Sequence, residues 1–488
     1  MSSSHPVATA AHGDMTSGHA APSGNMLAML CAVTSLGGLL FGFDTAVISG
    51  TISLVSRQFG LTPLQVGVFT SSALVGCIAG AAVCGMLADR FGRKPVLIAS
   101  GILFVISAYG CAVSDSYAAL LIARVIGGIA VGTTSVAAPL YISELAPARS
   151  RGRFVSFYQL SIVCGILLAY LSNWLIARNA ASATGVWPGG ELGIKIFRNE
   201  FWRAMFGAAI VPSLAFAVLL LLLPESPRWL SRLGRSNTAR KVGGDPAGSD
   251  AASAGPVPRT SWRELFRPGL RRALVVGVML SVFGQLSGVN IVVYYGPKIL
   301  MAAGYANGAA LLGQVAIGFI NLIFTIIAMT IIDSLGRRPL LINGMAVVTA
   351  ILVAIGVLFV LADPARAGPL SPMVGLWICV LICAYMAAIA ISICAVIWVI
   401  TAEIFPTNVR GRGCSIATLA NWTTNAASAL LFPAMVNEWG MGPSCFIAAS
   451  ICGVATWFFW RYVPETKGGS LEEIEQLWKP IQGVVQRS

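Results

Sequence analysis

The sequence predicts an all-α membrane protein with twelve transmembrane helices, arranged as two six-helix repeats that share one orientation. Three observations predict this fold. Of the 488 residues, 56% are hydrophobic and only 10% are charged, whereas soluble proteins carry about 25% charged residues. Apolar windows of about 20 residues, the length that crosses a bilayer, recur along the chain. Charged signatures between the windows occur once in each half of the sequence.

Twelve apolar windows divide the chain into two sets of six. They cover residues 26–55, 66–88, 95–114, 117–143, 154–177, 204–224, 273–297, 310–332, 339–362, 373–402, 413–436 and 443–460. At about 1.5 Å per residue, each is long enough to span the apolar part of a bilayer. We therefore expect an N-terminal six-helix bundle over residues 26–230 and a C-terminal six-helix bundle over residues 273–463.

The remaining segments are polar or of low complexity. Residues 1–25 are rich in Ser, Ala, Gly and His, and without a basic start they predict a disordered cytoplasmic tail rather than a signal peptide. Residues 231–272 contain a run of Ser, Ala, Gly and Pro, which predicts a cytoplasmic linker. Residues 464–488 are expected to form a second cytoplasmic tail.

The distribution of basic residues predicts the orientation of the chain. Most of the 32 Lys and Arg residues lie in the segments on the side of both termini, and basic loops stay in the cytoplasm. The first tail is a local exception, since it has no Lys or Arg while Arg57 follows the first window. The net charge of +13 is thus explained by cytoplasmic loops, and we expect no nucleic-acid partner.

Few residues suited to catalysis or metal binding are present. All three histidines, His5, His12 and His19, lie in the first tail. The eleven cysteines show no metal-ligand spacing, which favours a packing role within apolar spans. We therefore expect no metal, no cofactor and no enzymatic activity.

Three charged signatures follow corresponding windows in both halves. Asp-x-x-Gly-Arg follows windows two and eight, Glu-x-x-Pro with a later Arg-Gly-Arg follows windows four and ten, and Pro-Glu-Ser/Thr follows windows six and twelve. Acids and arginines at these helix ends can form ion pairs that close a gate on the inner side of the membrane. The alternative is that they serve only to fix the orientation of the chain in the membrane. The predicted inner-gate residues are Asp89, Arg93, Glu144, Arg151, Glu225, Arg228, Asp333, Arg337, Glu403 and Arg410.

Together these signatures resemble the sugar porter family of the major facilitator superfamily, and the resemblance extends from Gly37 to Gly468. It implies the major facilitator fold and the transport of a monosaccharide, either a hexose or a pentose. It also implies a multi-pass protein of the plasma membrane, in a bacterium the inner membrane, that works as a monomer among lipids.

Polar side chains within the spans are the candidates for contacts with a hydroxylated ligand. Gln285 and Asn290 lie on different faces of a straight helix, but Gly288 between them lets the helix bend. The resemblance implies a sugar-binding set of Phe41, Gln159, Gln285, Asn290, Tyr294, Asn321, Trp398 and Asn421. Two departures stand out: Gly284 replaces a glutamine of the family, and Ser392–Ile397 replaces a Gly- and Pro-rich run. The alternative role for each amide is to hold helices together.

Asp44 and Arg124 are the charged residues within the twelve windows. Ionised groups in spans are costly and usually face a partner or a water-filled path, so their opposite signs predict a pair. The resemblance implies proton coupling, since proton-coupled members of the family have an acid and an arginine here. The leading hypothesis is a proton-coupled monosaccharide importer. The alternatives are a passive facilitator with a purely structural pair, and a non-transporting sugar sensor.

Overall fold

Every regular element is a helix in the part of the chain that the computed structural model describes, residues 24–145, 151–181, 193–226, 229–230, 265–267, 270–361, 371–406 and 409–467. The N-terminal half contains α1 (Gly24–Phe59), α2 (Pro63–Phe91), α3 (Arg93–Val113), α4 (Tyr117–Leu145), α5 (Arg151–Ala181), a π-helical turn (Lys195–Asn199), α6 (Trp202–Gly207) and α7 (Ile210–Leu222). The C-terminal half contains α8 (Leu270–Leu286), α9 (Val289–Ala302), α10 (Asn307–Leu335), α11 (Arg337–Leu361), α12 (Pro372–Ile391), α13 (Ile393–Glu403), α14 (Arg410–Trp439) and α15 (Met441–Tyr462).

These fifteen α-helices form twelve spans, because three pairs of consecutive helices each form a single span: α6 with α7, α8 with α9, and α12 with α13. Eleven spans are long and apolar enough to cross a membrane. The other, α14, has 30 residues and is more polar because it carries Asn421, Trp422 and Asn425. The predicted fold class is confirmed. Most of the predicted tails and linker lie outside the described residues, although α8 begins at Leu270, inside the segment assigned to the linker.

The internal repeat is visible in the backbone at two glycines. Gly92 separates α2 from α3 with φ +102°, and Gly336 separates α10 from α11 with φ +89°. Side-chain-bearing residues rarely adopt this conformation, because it brings Cβ against the backbone. The repeated Asp-x-x-Gly-Arg signature therefore encodes the same sharp turn in both halves.

Two spans of the C-terminal half are broken near their middle. Gly288, in the left-handed region with φ +93°, separates α8 from α9, at the position where the sequence predicts a bend. Ser392, with φ −93° and ψ −100°, separates α12 from α13. Backbone that leaves the helix inside a span is typical of the substrate sites of transporters.

Small residues let the helices of the N-terminal half approach closely. A Cβ added at Gly128 on α4 would lie 1.8 Å from the carbonyl oxygen of Ala73, and one at Gly76 on α2 would lie 2.2 Å from that of Val125. No side chain fits at either position without moving the facing backbone. These glycines therefore pack α2 against α4.

The two halves contact each other in the middle and at one end of the bundle. We call the end where α1 begins and α15 ends the terminal side, and the opposite end the far side. On the far side, a Cβ at Gly67 of α2 would lie 2.1 Å from the carbonyl oxygen of Leu430 on α14. The hydroxyl of Tyr170 on α5 lies 3.2 Å from the carbonyl oxygen of Val293 on α9. The halves are thus packed together on the far side.

Candidate functional site

A buried ion pair connects α1 and α4. Arg124 Nη1 donates to Asp44 Oδ1 at 2.9 Å, and Nη2 donates to the backbone carbonyl of Asp44 at 3.3 Å. Arg124 is 1% exposed and the side chain of Asp44 is 12% exposed. The guanidinium carbon also lies 5.3 Å from the ring centroid of Phe206 on α6, which adds a cation–π contact. The sequence predicts the pairing, and the structure places the two side chains in contact.

One carboxylate oxygen of Asp44 accepts no hydrogen bond from Arg124. Asp44 Oδ2 is buried and accepts no hydrogen bond from any described residue. It belongs to a cavity of about 10 Å³ whose lining includes Thr45, Thr70, Arg124 and Tyr294, a volume close to the minimum for one water molecule. The free oxygen can therefore take up a proton while Oδ1 stays against Arg124.

Three predicted sugar-binding amides form one hydrogen-bonded chain in the C-terminal half. Asn290 Nδ2 donates to Gln285 Oε1 at 2.6 Å, and Gln285 Nε2 donates to Asn421 Oδ1 at 2.8 Å. The break at Gly288 allows this arrangement, because it turns Asn290 back toward Gln285. We call Gln285, Asn290 and Asn421 the amide cluster. Their mutual hydrogen bonds occupy both polar atoms of Gln285, Nδ2 of Asn290 and Oδ1 of Asn421, and sugar hydroxyls can replace those bonds.

Tyr294 lies one turn beyond the amide cluster, on α9. Its hydroxyl accepts a hydrogen bond from Asn425 Nδ2 at 3.1 Å. It lines the small cavity at Asp44 and also a far-side cavity of about 220 Å³ whose lining includes Ser49, Arg57 and Lys298. The two cavities therefore share Tyr294 in their linings.

Phe41 and Trp422 bring an aromatic surface to the centre of the bundle. Their ring centroids are 5.7 Å apart across the boundary between the halves. Trp422 is 5% exposed, and its Nε1 is buried without a described partner. Trp422 and Asn425 are polar residues of the same apolar span as Asn421, which makes them candidates for ligand contacts from the sequence, but the predicted sugar-binding set includes only Asn421.

Five predicted sugar-binding residues are not part of the amide cluster: Phe41 and Tyr294, described above, and three more. Gln159 on α5 and Asn321 on α10 are half-buried, and Trp398 on α13 is 44% exposed. Among the described residues, none of the three hydrogen-bonds to Gln285 or Asn421. Their assignment to the sugar site stays a prediction.

The predicted gate residues of the N-terminal half form an ion-pair network on the terminal side. Arg93, 2% exposed, pairs with Glu144 at 2.9 Å and with Asp89 at 3.3 Å. The hydroxyl of Ser226 donates to Glu144. Glu225 accepts hydrogen bonds from the backbone N–H groups of Arg93 and Lys94 at the start of α3, where a helix favours a negative charge.

The C-terminal half repeats this arrangement. Arg337 lies 3.5 Å from Glu403, as Arg93 lies against Glu144. Glu465 accepts from the backbone N–H groups of Arg337 and Arg338 at 3.1 and 3.0 Å, as Glu225 does at α3. The described ion pairs each lie within one half. The side chains of Arg151, Arg228, Asp333 and Arg410 lie outside the described part of the chain.

Glu465, which lies beyond the last span, accepts hydrogen bonds from backbone N–H groups that change its pKa. Partial burial acts to raise the pKa of Glu465, but hydrogen bonds from the backbone of Lys467, Arg337, Arg338 and Thr466 outweigh it. The pKa of Glu465 is therefore lowered from its ordinary value of 4.5, and the charged carboxylate is the form that holds the start of α11.

Two parallel six-helix repeats, with a polar cluster beside broken helices and a buried ion pair, define a polytopic membrane transporter. The chain belongs to the sugar (and other) transporter family, whose sequence profile matches residues 30–478. This confirms the resemblance to the sugar porters and the major facilitator fold.

Similar proteins are found over nearly the whole chain. It is 36% identical over 464 residues to the arabinose-proton symporter of Bacillus subtilis (strain 168), which covers 93% of this chain and 95% of that protein. It is 37% identical over 491 residues to the D-xylose-proton symporter of Escherichia coli (strain K12), covering 92% and 95% respectively. The fold superimposes on the inward-open conformation of the xylose transporter XylE from E. coli with a TM-score of 0.75, at 34% identity, covering 93% of this chain and 100% of that one.

Proposed function

We propose that this protein is a symporter that imports a monosaccharide together with a proton by alternating access. The buried contact between Asp44 and Arg124 carries this proposal, because it places a protonatable group within the spans and next to a fixed positive charge. The two relatives named above are an arabinose-proton and a D-xylose-proton symporter. Both sugars are pentoses, so a pentose is the first substrate to test and a hexose the second.

The sugar binds at the amide cluster in this proposal. Its hydroxyls take over the hydrogen bonds that Gln285 makes with Asn290 and Asn421, so little hydrogen bonding is lost when the site empties. Phe41 and Trp422 supply a ring surface for the apolar face of the sugar, and the unpartnered Nε1 of Trp422 is a donor for one further hydroxyl.

Proton coupling follows from the electrostatics of the pair. An ionised Asp44 is attracted to the positive charge of Arg124, whereas an Asp44 protonated on Oδ2 is neutral, so the contact at Oδ1 loses its charge attraction while the backbone contact of Arg124 is unchanged. A proton that crosses 100 mV releases about 2.3 kcal/mol, which supports roughly fiftyfold accumulation since about 1.4 kcal/mol corresponds to tenfold.

Alternating access follows from rocking of the two halves. The contacts at Gly67 and Tyr170 pack the halves on the far side, so the far side must open in the other conformation. We assign the terminal side to the cytoplasm, because the basic loops lie there. Both termini are then cytoplasmic, and the protein is a monomer among the lipids of a bacterial inner membrane.

Uptake and proton movement measured together test this function. The purified protein is reconstituted into vesicles that contain a pH-sensitive dye, and a panel of labelled pentoses and hexoses is added outside. We expect one of these sugars to enter and to acidify the interior. Uptake without a pH change would instead establish a passive facilitator, and binding without uptake would establish a sensor.

A further inference from the structure

The seventh span contains a proline at a position where the helix should lose a hydrogen bond. Pro297 lies inside α9 (Val289–Ala302). Proline has no backbone N–H, so the carbonyl oxygen of Val293, four residues earlier, lacks its helical donor. Val293 is 3% exposed. A buried carbonyl group is costly when it has no partner, so another donor is required.

Two buried side chains donate to this carbonyl oxygen. The hydroxyl of Tyr170 on α5 lies 3.2 Å from Val293 O, and Nε2 of Gln314 on α10 lies 3.3 Å from the same atom. Gln314 Nε2 also lies 3.1 Å from the carbonyl oxygen of Val292. Tyr170 is 2% exposed and Gln314 is 1% exposed.

The residue beside the proline makes room for the glutamine. A Cβ added at Gly296 would lie 1.8 Å from Gln314 Oε1, so any side chain at Gly296 would displace the amide. Gly296 and Pro297 together therefore create an unsatisfied carbonyl group and the space through which Gln314 reaches it.

The two donors belong to different halves of the molecule. Gln314 is in the C-terminal half, as is Val293, so the two move together when the halves rock. Tyr170 is in the N-terminal half, and its hydrogen bond crosses the boundary between the halves. Opening of the far side separates Tyr170 from Val293 but leaves Gln314 in place.

We propose that Gln314 and Tyr170 are positioning residues for α9, with Gln314 the permanent donor and Tyr170 the donor in the far-side-closed conformation. Tyr170 then stabilises that conformation, and Gln314 holds α9 so that Asn290 and Tyr294 face the site. This inference rests on the alternating access of the proposed function. It is tested first by a labelling rate that requires no sugar, so it can fail or succeed independently of transport.

The first test measures opening of the far side. Ser49 is 6% exposed and lines the far-side cavity, so Ser49→Cys reports on opening through its reaction with a membrane-impermeant maleimide. Protein without Ser49→Cys gives the background from native cysteines. We expect Tyr170→Phe to raise the labelling rate about two- to tenfold, the effect of losing one hydrogen bond in one conformation.

A tyrosine on the same helix supplies the matched control. The hydroxyl of Tyr158 lies 3.3 Å from the carbonyl oxygen of Thr134, a contact within the N-terminal half. Tyr158→Phe should leave the labelling rate unchanged, because the hydrogen bond it removes exists in both conformations. An unchanged rate in Tyr170→Phe, or the same increase in both variants, would overturn the proposal.

The second test asks whether Pro297 is the reason that the labelling rate depends on Tyr170. Pro297→Ala restores an N–H group that can donate to Val293 O. In this background we expect Tyr170→Phe to change the labelling rate less than about twofold. An undiminished effect would mean that packing of the phenol ring, not the carbonyl group, is responsible.

The third test separates the roles of the two donors. Gln314→Met keeps the volume of the side chain but removes the donor that moves with α9. We expect this variant to raise the KM for the transported sugar more than it changes the labelling rate, and Tyr170→Phe to show the opposite pattern. Identical patterns in the two variants would contradict the division of roles.

Discussion

Arg124 donates to the carboxylate of Asp44 at 2.9 Å and to the backbone carbonyl of the same residue at 3.3 Å. The first contact depends on the charge of Asp44, whereas the second does not. Protonation of Asp44 therefore weakens the attraction between α1 and α4 while Arg124 keeps one anchor on α1. Such a contact can respond to a proton without the two helices separating.

Asp44→Asn is expected to abolish accumulation of sugar against its gradient while sugar exchange is retained. Asparagine has nearly the shape of aspartate and leaves the backbone contact of Arg124 intact, but it cannot carry a proton. The measurements are uptake into energised vesicles and counterflow in vesicles preloaded with sugar. Uphill accumulation by the variant would contradict the assignment of Asp44 to coupling.

Arg124→Gln is expected to destabilise the protein by up to about 3–5 kcal/mol in unfolding free energy, because it leaves a buried carboxylate without its partner. The double variant Asp44→Asn with Arg124→Gln should recover part of this loss, since no isolated charge remains. Unfolding in detergent at neutral pH measures both effects. If the double variant is as unstable as the sum of the two single variants, the charges are not energetically coupled.

Gln285→Ala is expected to raise the KM for sugar about tenfold with little loss of folded protein, because one or two hydrogen bonds to sugar hydroxyls are removed. Asn421→Ala should have a similar effect through the same cluster. Gln65→Ala is the control, since Gln65 caps α2 on the exposed far side. Kinetics of sugar uptake measure the change, and an unchanged KM in both cluster variants would place the sugar elsewhere.

Glu465→Gln is expected to lower the thermal midpoint of unfolding in a pH-dependent manner. The pKa of Glu465 is lowered in the folded protein from an ordinary value of 4.5, so the unfolded chain binds the proton more tightly. The carboxylate therefore contributes stability above pH 4.5, and this contribution is lost as the pH falls through the lowered folded-state pKa. Thermal unfolding between neutral and acidic pH should show the two proteins converge.

Glu438→Gln provides the comparison for this pH series, because Glu438 lies exposed near the end of α14. It should unfold at the same temperature as the unmodified protein at each pH. A constant difference between the unmodified protein and Glu465→Gln at all pH values would show that the charge of Glu465 is not what stabilises the start of α11.

Gly128→Ala is expected to destabilise the N-terminal half, because its Cβ would lie 1.8 Å from the carbonyl oxygen of Ala73. The cost should reach about 1–3 kcal/mol of unfolding free energy, as in other overpacked interiors. Gly85→Ala on α2 is the control, since a Cβ there has no neighbour within 4 Å. Equal stability of both variants in detergent would show that α2 and α4 can move apart freely.

The contact between Asp44 and Arg124 could be predicted because so few charges lie within the spans. The bend at Gly288 that brings Asn290 to Gln285 could be predicted as well, but the contact between Gln285 and Asn421 could not be predicted from the residues alone. Gln159 and Asn321 are polar residues in apolar spans just as Gln285 is, yet only Gln285 joins Asn421. Which side chains meet depends on how each span is rotated about its axis. A helix that is apolar on nearly every face, with lipid on one side and protein on the other, does not specify that rotation.

The sequence by itself determined the twelve spans, the two repeats and the charged turns between them, because each of these depends on local composition and spacing. Only the tertiary structure decided that Trp422 packs against Phe41, that Gln285 meets Asn421, and that Tyr170 reaches Val293. Each of these contacts joins two helices that are far apart in the sequence. Two of them satisfy polar groups inside the bundle, namely the side-chain amides of Gln285 and Asn421 and the carbonyl group of Val293, whereas Trp422 and Phe41 form an aromatic contact.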